Sequence, residues 1–349
     1  MKDILENKLY QEDIERVLSS FDFSALKRKR LLVTGGLGLI CSAVVDTLLA
    51  YNESHDASIL IYVAARDEKR FLNRFGKRPC VKYVPYDAAE PIGFDVKVDY
   101  IIHGAGLSSP DLYLAKPVET MLTNFNGILN LLRYARAQGA SRTLYISSSE
   151  VYGRKSVQRP FREDESGVVD INVVRSSYPE SKRASEVLCR AFYSEYGVDS
   201  VIVRPGHVYG PAASRKDRRI ASEFAYLSAQ GKDLEMKSPG LQKRSYCYCL
   251  DCAAAILIAL LKGSAGESYN IGNDEAISIR EMASILAEAG NVGLSAAEPT
   301  EEELRRFNPM SNSSINDSKI KALGYKDTFA VHEGLCHTVL ILKDLLTND

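Results

Sequence analysis

The stretch Leu31-Leu32-Val33-Thr34-Gly35-Gly36-Leu37-Gly38 decides the fold of this 349-residue chain. Its first four residues are typical of a buried β-strand, and they run directly into a glycine loop that precedes a helical pattern. Gly35 allows a tight turn, Gly38 lets the backbone approach a pyrophosphate, and the following helix offers its N-terminal dipole to that charge. The alternative interpretation of this loop is a tight strand–helix turn that binds no ligand. The predicted cofactor contacts at this loop are Gly35, Gly38, Leu39 and Ile40.

Outward from this loop, short β-branched runs alternate with helix-length segments, which is typical of a parallel sheet covered on both faces. Beyond Leu31–Thr34, the predicted strands are Ile59–Val63, Val81–Val84, Tyr100–His103, Thr143–Ser147 and Val201–Arg204. The fold class predicted from this alternation is α/β, with a Rossmann-like, doubly wound parallel sheet and a smaller, interleaved C-terminal region that binds the substrate.

Changes in composition suggest how the chain is divided. Residues 1–28 precede the first strand and predict an N-terminal helical extension, because their apolar residues have helical spacing. We expect residues 29–204 to form the dinucleotide-binding domain, with residues 245–264 packing back onto it. Residues 205–244 and 265–349 are expected to form the substrate-binding region.

Composition excludes several classes of protein. The chain is 45% hydrophobic and 26% charged, which are ordinary values for a globular protein, and its net charge of −1 argues against nucleic acid or anionic membrane as partners. No apolar run reaches the roughly 20 residues of a membrane span, and no signal peptide is evident, so a cytoplasmic protein is expected. The cysteine cluster Cys247-x-Cys249-x-x-Cys252 lacks a second pair at zinc spacing, and we expect no metal.

The end of the second predicted strand bears on the choice of cofactor. An NAD site usually places an acidic side chain at this tip, where it binds the adenosine ribose. This chain has Ala65 and then Arg66, and a guanidinium there favours NADP(H) because it can neutralise a 2′-phosphate. The alternative is that Arg66 faces solvent and Asp67 binds the ribose. Asp87, after the third strand, is a candidate adenine contact or a turn residue.

The most informative segment for chemistry is Tyr178-Pro179-Glu180-Ser181-Lys182. On a helix, Tyr178 and Lys182 share a face, and a neighbouring ammonium is expected to lower the high pKa of the phenol. Tyr178 would then be a general base that takes a proton from a sugar hydroxyl as hydride leaves the carbon. Thirty residues upstream, the fifth strand ends in a run of three serines and Glu150, where ligands of doubly wound sheets bind.

Together these features resemble the extended short-chain dehydrogenase/reductase family, in particular its nucleotide-sugar epimerases, dehydratases and decarboxylases. The resemblance covers nearly all of the chain beyond residue 30. Its further motifs are His103-Gly104-Ala105-Gly106, Asn124-x-x-Gly127, Ser148-Ser149-Glu150-Val151-Tyr152-Gly153, Arg204-Pro205-Gly206-His207-Val208-Tyr209-Gly210-Pro211, Arg244-Ser245-Tyr246 with Asp251, and Tyr269-Asn270-Ile271-Gly272.

The resemblance implies a role for each matching residue. Ser148 would hydrogen-bond the sugar, Tyr178 would be the base, and Lys182 would bind the cofactor ribose. Glu150 stands where decarboxylases and one class of dehydratase carry a second acid/base residue. Ser149 stands where other dehydratases carry aspartate, which argues against the dTDP-glucose dehydratases.

Further expected contacts follow from the same resemblance. Arg244 resembles the arginine that clamps the substrate diphosphate. His207 departs from the family, which commonly has asparagine there, and is a possible substrate contact. The expected cofactor contacts beyond the glycine loop are Arg66, Asp87, Ala105, Asn124, Tyr178 and Lys182. The expected substrate contacts are Ser108, Ser149, His207 and Arg244.

The resulting hypothesis is an NAD(P)-dependent epimerase, dehydratase or decarboxylase that acts on a nucleotide-diphosphate sugar through a keto-sugar, with NADP(H) favoured as cofactor. A second hypothesis is an NADPH-dependent reductase of a nucleotide-linked keto-sugar. A third is an inactive dinucleotide sensor, which would not need Ser148, Tyr178 and Lys182 together. We also expect a homodimer, paired through the helices over Asp111–Ala137 and Tyr178–Tyr196.

Overall fold

The glycine loop lies at the carboxyl edge of a seven-stranded parallel sheet. The computed structural model describes residues 3–154, 159–300 and 310–347. This confirms the predicted α/β, Rossmann-like fold class. In spatial order the strands are β10 (Ser268–Ile271), β6 (Ser200–Pro205), β5 (Arg142–Ile146), β4 (Tyr100–His103), β1 (Arg30–Thr34), β2 (Leu60–Ala65) and β3 (Val81–Pro85).

Helices cover both faces of this sheet, as buried parallel strands require. One face carries α2 (Leu39–His55) and α8 (Cys249–Lys262), and the other carries α5 (Pro117–Gln138) and α6 (Ser177–Tyr196). Two shorter helices, α3 (Glu68–Phe75) and α4 (Pro110–Ala115), follow β2 and β4. None of the helices in the described ranges has the length and apolarity that crossing a bilayer requires.

The chain leaves the large sheet directly after β6 and enters a small mixed sheet. There β9 (Lys243–Tyr248) pairs with β7 (His207–Tyr209), β11 (Ala276–Ser278) and β13 (Asn312–Ser313). A two-stranded sheet is formed by β8 (Leu234–Met236) and β12 (Leu294–Ala296). The helices of this region are α7 (Ile220–Ala229), α9 (Ile279–Gly290), α10 (Ser318–Lys321) and α11 (Val331–Leu346).

The predicted boundary at residue 265 does not coincide with the sheets. Strand β10 comes from the region assigned to substrate binding, but it pairs with β6 as the edge strand of the large sheet. Its sequence, Ser268-Tyr269-Asn270-Ile271, is short and contains asparagine, so propensity alone does not indicate a strand. Within the segment 245–264, which was expected to pack back onto the dinucleotide-binding domain, helix α8 contacts β5 and β6.

The N-terminal extension contains α1 (Lys8–Ser20), which is bonded to both parts of the molecule. The hydroxyl of Tyr10 donates to Asp46 of α2 at 2.9 Å. On the other side, Asp13 accepts a hydrogen bond from the hydroxyl of Tyr248 at 2.8 Å and lies 2.9 Å from Nδ1 of His337 on α11. Asp13 and Asp46 are buried, so these polar contacts lie within the core.

Candidate active site

A cavity of about 570 Å³ opens at the carboxyl edge of the large sheet. Its walls come from the loops after β1, β2, β3 and β4, which is where doubly wound sheets bind their ligands. Most of the predicted cofactor contacts line it, and so does one predicted substrate contact. These residues are Gly35, Gly38, Leu39, Ile40, Arg66, Asp87, Ala105 and Ser108.

The glycine loop fits the pyrophosphate of a dinucleotide. Gly35 has φ +71°, and a Cβ there would lie 2.7 Å from the carbonyl carbon of Gly104, so the two loops touch backbone to backbone. Gly38 is the N-cap of α2 and has no side chain to cap the first turn. The first amides of α2 therefore remain available to an anion.

Cys41, in the first turn of α2, packs tightly in the wall of this cavity. A Cβ on Gly104 would lie 2.4 Å from the Cys41 sulfur, so the thiol occupies the space next to the β4 loop. Cys41 is buried, and burial raises its thiol pKa to about 12. The residue therefore acts as a small packing side chain.

The candidate catalytic groups lie close to this cavity, around Ile146 at the end of β5, although they are not among the residues that line it. The hydroxyl of Ser148, just beyond β5, is hydrogen-bonded to Tyr178 in the first turn of α6. The ammonium of Lys182, one turn further, donates to the carbonyl oxygen of Ile146 at 2.8 Å, and Ile146 itself lines the cavity. The structure thus brings together Ser148, Tyr178 and Lys182.

The pKa of Tyr178 is high in this structure. Burial raises it most and nearby Glu150 adds to this, while the hydrogen bond with Ser148 and the guanidiniums of Arg219 and Arg175 lower it; together these effects place it at about 12. Burial lowers the pKa of Lys182 to about 8, and its ammonium donates to the Ile146 carbonyl. That the ammonium, together with the positive nicotinamide ring, lowers the Tyr178 pKa stays a prediction.

Glu150 is held beside Tyr178 by an arginine that the sequence analysis missed. Arg175 donates to both carboxylate oxygens of Glu150 at 3.1 Å and to the hydroxyl of Tyr113 at 3.3 Å. The ring of Tyr113 stacks on that of Tyr178, with 5.2 Å between centroids. Arg175 lies three residues before Tyr178, so helical spacing was the one available signal.

Two further arginines lie near these groups: Arg244 of the small sheet is near Glu150, and Arg219, before α7, is near Tyr178. Arg244 of β9 is buried, and one of its nitrogens donates to the carbonyl oxygens of Lys243 and Met310 at 2.9 and 3.0 Å. Arg219, which the sequence analysis also missed, precedes α7 and lines the cofactor cavity. Burial and these two arginines lower the pKa of His207, on β7, to about 3.

The predicted contacts Asn124 and Ser149 are buried and are not among the residues that line the cavity. Asn124 is buried and donates to Ser181 at 3.0 Å, and a Cβ on Gly106 would lie 2.3 Å from the Asn124 side-chain oxygen. Asn124 thus supports the loop after β4. Ser149 is buried in the 3₁₀ turn that positions Glu150.

A glycine loop suited to a pyrophosphate, together with serine, tyrosine and lysine at a strand end, defines a dinucleotide-dependent enzyme of the short-chain dehydrogenase/reductase type. Comparisons with known sequences agree. The NAD dependent epimerase/dehydratase family matches residues 31–272. UDP-glucuronic acid decarboxylase 6 of Arabidopsis thaliana is 34% identical over 310 residues, which span 88% of this chain and 86% of that protein. UDP-glucuronic acid decarboxylase 1 of Xenopus tropicalis is 30% identical over 315 residues, spanning 89% and 72%.

Solved structures share the fold. A dTDP-glucose 4,6-dehydratase of Streptomyces venezuelae, crystallised with NAD, has a TM-score of 0.76 and 25% identity, covering 90% of this chain and 97% of that one. The UDP-glucose 4-epimerase of Thermotoga maritima has a TM-score of 0.76 and 22% identity, covering 91% and 99%. This chain therefore belongs to the NAD-dependent epimerase/dehydratase family. The predicted family is confirmed, and so is the prediction of an NAD(P)-dependent enzyme of nucleotide-sugar chemistry, for which the family and its solved structures indicate NAD.

Proposed function

We propose that this protein decarboxylates a nucleotide-diphosphate hexuronic acid, with UDP-glucuronic acid as its substrate. The observation that carries the proposal is Glu150, which Arg175 fixes beside Tyr178 at the sugar end of the site. The family resemblance gives decarboxylases a second acid/base residue at this position. The UDP-glucuronic acid decarboxylases are also the relatives that align over most of this chain.

The chemistry assigns a task to each side chain. Tyr178 takes the proton of the sugar hydroxyl next to the carbon that bears the carboxylate, and Ser148 hydrogen-bonds the same oxygen. When bound, NAD would accept the hydride lost from the carbon that bears this hydroxyl and would later return it. The resulting ketone is β to the carboxylate, so it accepts the electron pair released as CO₂ departs. Glu150 is positioned to serve the proton transfer of this second step.

The charge around Tyr178 suits an acidic substrate. Three guanidiniums, those of Arg175, Arg219 and Arg244, face two carboxylates, those of Glu150 and Asp217. The cations exceed the anions within a largely buried site, where charge is poorly screened. Phosphate and carboxylate groups of a substrate would balance this excess, and guanidinium binds both well.

The test is the release of CO₂ from UDP-glucuronic acid labelled at its carboxyl carbon, with NAD present. We expect one labelled CO₂ for each UDP-pentose formed, and no net change in nicotinamide absorbance at completion. UDP-glucose is the matched control, since it differs by lacking the carboxylate. Absence of CO₂ under conditions in which UDP-glucuronic acid binds would contradict the proposal.

A second candidate function, an NADPH-dependent reductase of a nucleotide-linked keto-sugar, is favoured by Arg66. This side chain lies at the cavity wall directly after β2 and is 72% exposed. Its ion pair with Asp87, at 4.0 Å, is exposed and therefore weak, so a phosphate can replace it. Asp67, the alternative ribose ligand, caps α3 by accepting from the Arg70 amide at 2.9 Å. These contacts support a preference for NADP(H).

This second candidate predicts that NADP(H) binds more tightly than NAD(H), and that Arg66→Ala weakens NADP(H) alone. A hydrogen bond between charged groups is worth about 1.5–3 kcal/mol, which corresponds to a loss of about tenfold to a hundredfold. Calorimetric titration of both cofactors measures this. Lys69→Ala is the matched control, because Lys69 is exposed one turn along α3 and does not line the cavity. Tighter binding of NAD(H) by the wild type would refute the preference.

We also propose that the protein is a homodimer paired through α5 and α6. A surface groove between these helices is lined by apolar residues together with Arg133, Arg136 and Glu195. On these two helices, Leu132 and Phe192 are buried in the core, whereas Val187 is 64% exposed. Further exposed apolar residues on α5 support the proposal; they are Val118, Met121 and Leu122.

The double substitution Met121→Asp/Val187→Asp is expected to convert a dimer to a monomer, since it would bury charges in an apolar interface. Light scattering at micromolar concentration should show twice 38.6 kDa for the wild type and 38.6 kDa for the variant. Leu340→Asp, at another exposed apolar position on α11, is the control and should remain dimeric. A wild-type protein of monomeric mass would rule out this interface.

A further inference from the structure

The buried ammonium of Lys182 lies over the face of an aromatic ring. Its nitrogen is 4.7 Å from the ring centroid of Tyr145, the fourth residue of β5. Lys182 is 7% exposed and Tyr145 is 1% exposed, so the contact is shielded from water. The next residue of β5, Ile146, supplies the carbonyl oxygen that accepts from this ammonium. One strand therefore contacts Lys182 twice, through its backbone and through a ring.

The ammonium of Lys182 has few other partners to compensate for its burial. Among the residues that the structure describes, the Ile146 carbonyl is its one hydrogen-bond acceptor. Glu186, four residues further along α6, is engaged by other groups: it accepts from Ser147 at 2.7 Å and from Arg204 at 2.9 and 2.6 Å. A charge taken out of water needs compensation, and the electron-rich face of a ring provides it.

Most titratable groups around Lys182 carry no charge near pH 7. These groups are Glu186 and Cys189 on α6, Cys41 on α2 and His103 on β4. Burial raises the pKa of both thiols to about 12. Burial and the Lys182 charge lower the pKa of His103 to about 3. Despite its burial, Glu186 keeps a pKa below the usual value because it is ion-paired and hydrogen-bonded, and it is the one charged group of this set.

We infer that Tyr145 is a positioning residue: the face of its ring favours the ammonium form of Lys182 and holds it in place for the cofactor. The ring quadrupole attracts a cation, and the attraction is strongest where water is excluded. An ammonium has three donors and the Ile146 carbonyl uses one, so two remain for the ribose that the resemblance assigns to Lys182. The inference goes beyond the proposed function, because it concerns the protein before the cofactor binds and does not depend on the sugar.

The direct test is the pKa of Lys182 in the cofactor-free protein, measured by NMR titration of lysine that is isotope-labelled at the ε-carbon. The Lys182 signal is assigned as the one that Lys182→Met lacks. Tyr145→Phe is the matched control, because it keeps the ring face, and it should leave the pKa near the value of about 8 that burial gives the wild type. Tyr145→Leu removes the ring and should lower the pKa by about 1.

The pH dependence of cofactor affinity is a second readout, which a purely structural defect would not reproduce. A fall of the pKa from about 8 to about 7 lowers the charged fraction of Lys182 at pH 8 from about one half to about one tenth. In calorimetric titrations, Tyr145→Leu should therefore bind NAD(H) about fivefold more weakly at pH 8, with almost no change at pH 6. Equal weakening at both pH values would show that Tyr145 only supports the fold, and would overturn the inference.

A third variant keeps the test decisive if the space left by Tyr145→Leu prevents folding. Tyr145→pentafluorophenylalanine keeps the shape of the ring but reverses its quadrupole, so the pKa of Lys182 should fall further than in Tyr145→Leu. An unchanged pKa in this variant would contradict the inference. So would an equal fall in Tyr145→Phe, because the effect would then belong to the hydroxyl and not to the ring.

Discussion

Tyr178→Phe is expected to lower kcat by about 10²–10⁴-fold, the range for a lost general base. The substitution removes the hydroxyl that Ser148 hydrogen-bonds but keeps the ring that stacks on Tyr113. Folding and cofactor affinity should therefore be nearly unchanged. Because burial raises the Tyr178 pKa to about 12, the residue carries its proton in this structure. Catalysis thus depends on the groups that lower this pKa when the site is filled.

Steady-state rates on the active substrate, together with thermal unfolding, measure this effect. Tyr113→Phe is the matched control: it keeps the ring stack and removes a hydroxyl that accepts from Arg175. It should cost about tenfold or less, because this hydrogen bond is long, at 3.3 Å, and Arg175 keeps both of its bonds to Glu150. A Tyr178→Phe enzyme within tenfold of the wild type would remove Tyr178 from the mechanism.

Glu150→Gln is expected to separate the two chemical steps. The amide keeps the shape of the side chain and one acceptor for Arg175, but it cannot exchange a proton. Oxidation of the sugar, which depends on Ser148, Tyr178 and Lys182, should persist. Release of CO₂ should fall by about 10²–10⁴-fold. The signature to measure is the reduced nicotinamide, which forms transiently. In the variant it should be reoxidised more slowly than in the wild type.

Glu180→Gln provides the comparison for Glu150→Gln. Glu180 lies on the same helix as Tyr178 and is ion-paired with Arg183 at 3.3 Å. Its replacement should leave both steps intact, because this partly exposed pair lies within one helix and contributes little. If Glu150→Gln lowered both steps equally, Glu150 would have a structural role in holding Arg175 and Tyr113, and the assignment of a second acid/base would fail.

Local sequence was sufficient to predict the cofactor half of the molecule. The Leu31–Gly38 stretch can be recognised from local sequence. A buried strand, Gly35 and the start of a helix follow one another directly, so no distant residue is needed to identify the motif. The pairing of Tyr178 with Lys182 was equally local, since residues four apart share a helix face. The family resemblance then located Ser148 and Glu150 relative to this helix.

Contacts between residues that meet only in the folded chain could not be predicted from the sequence. Arg219 comes from a loop of the second region, and nothing near it in sequence indicates that it reaches the cofactor cavity. Strand β10 is recognisable as a strand only through its pairing with β6. Spacing places Lys182 on the same helix face as Tyr178, but it does not reveal that the Ile146 carbonyl binds its ammonium.

The two-sided anchoring of α1 has a consequence for how the molecule denatures. Tyr10 bonds α1 to α2, whereas Asp13 bonds it to Tyr248 and His337, so neither half can separate without exposing buried polar groups. The halves should therefore melt in one cooperative transition instead of two. Backbone amides of α1 should exchange with solvent deuterium as slowly as those of α8, although α1 lies close to a chain end.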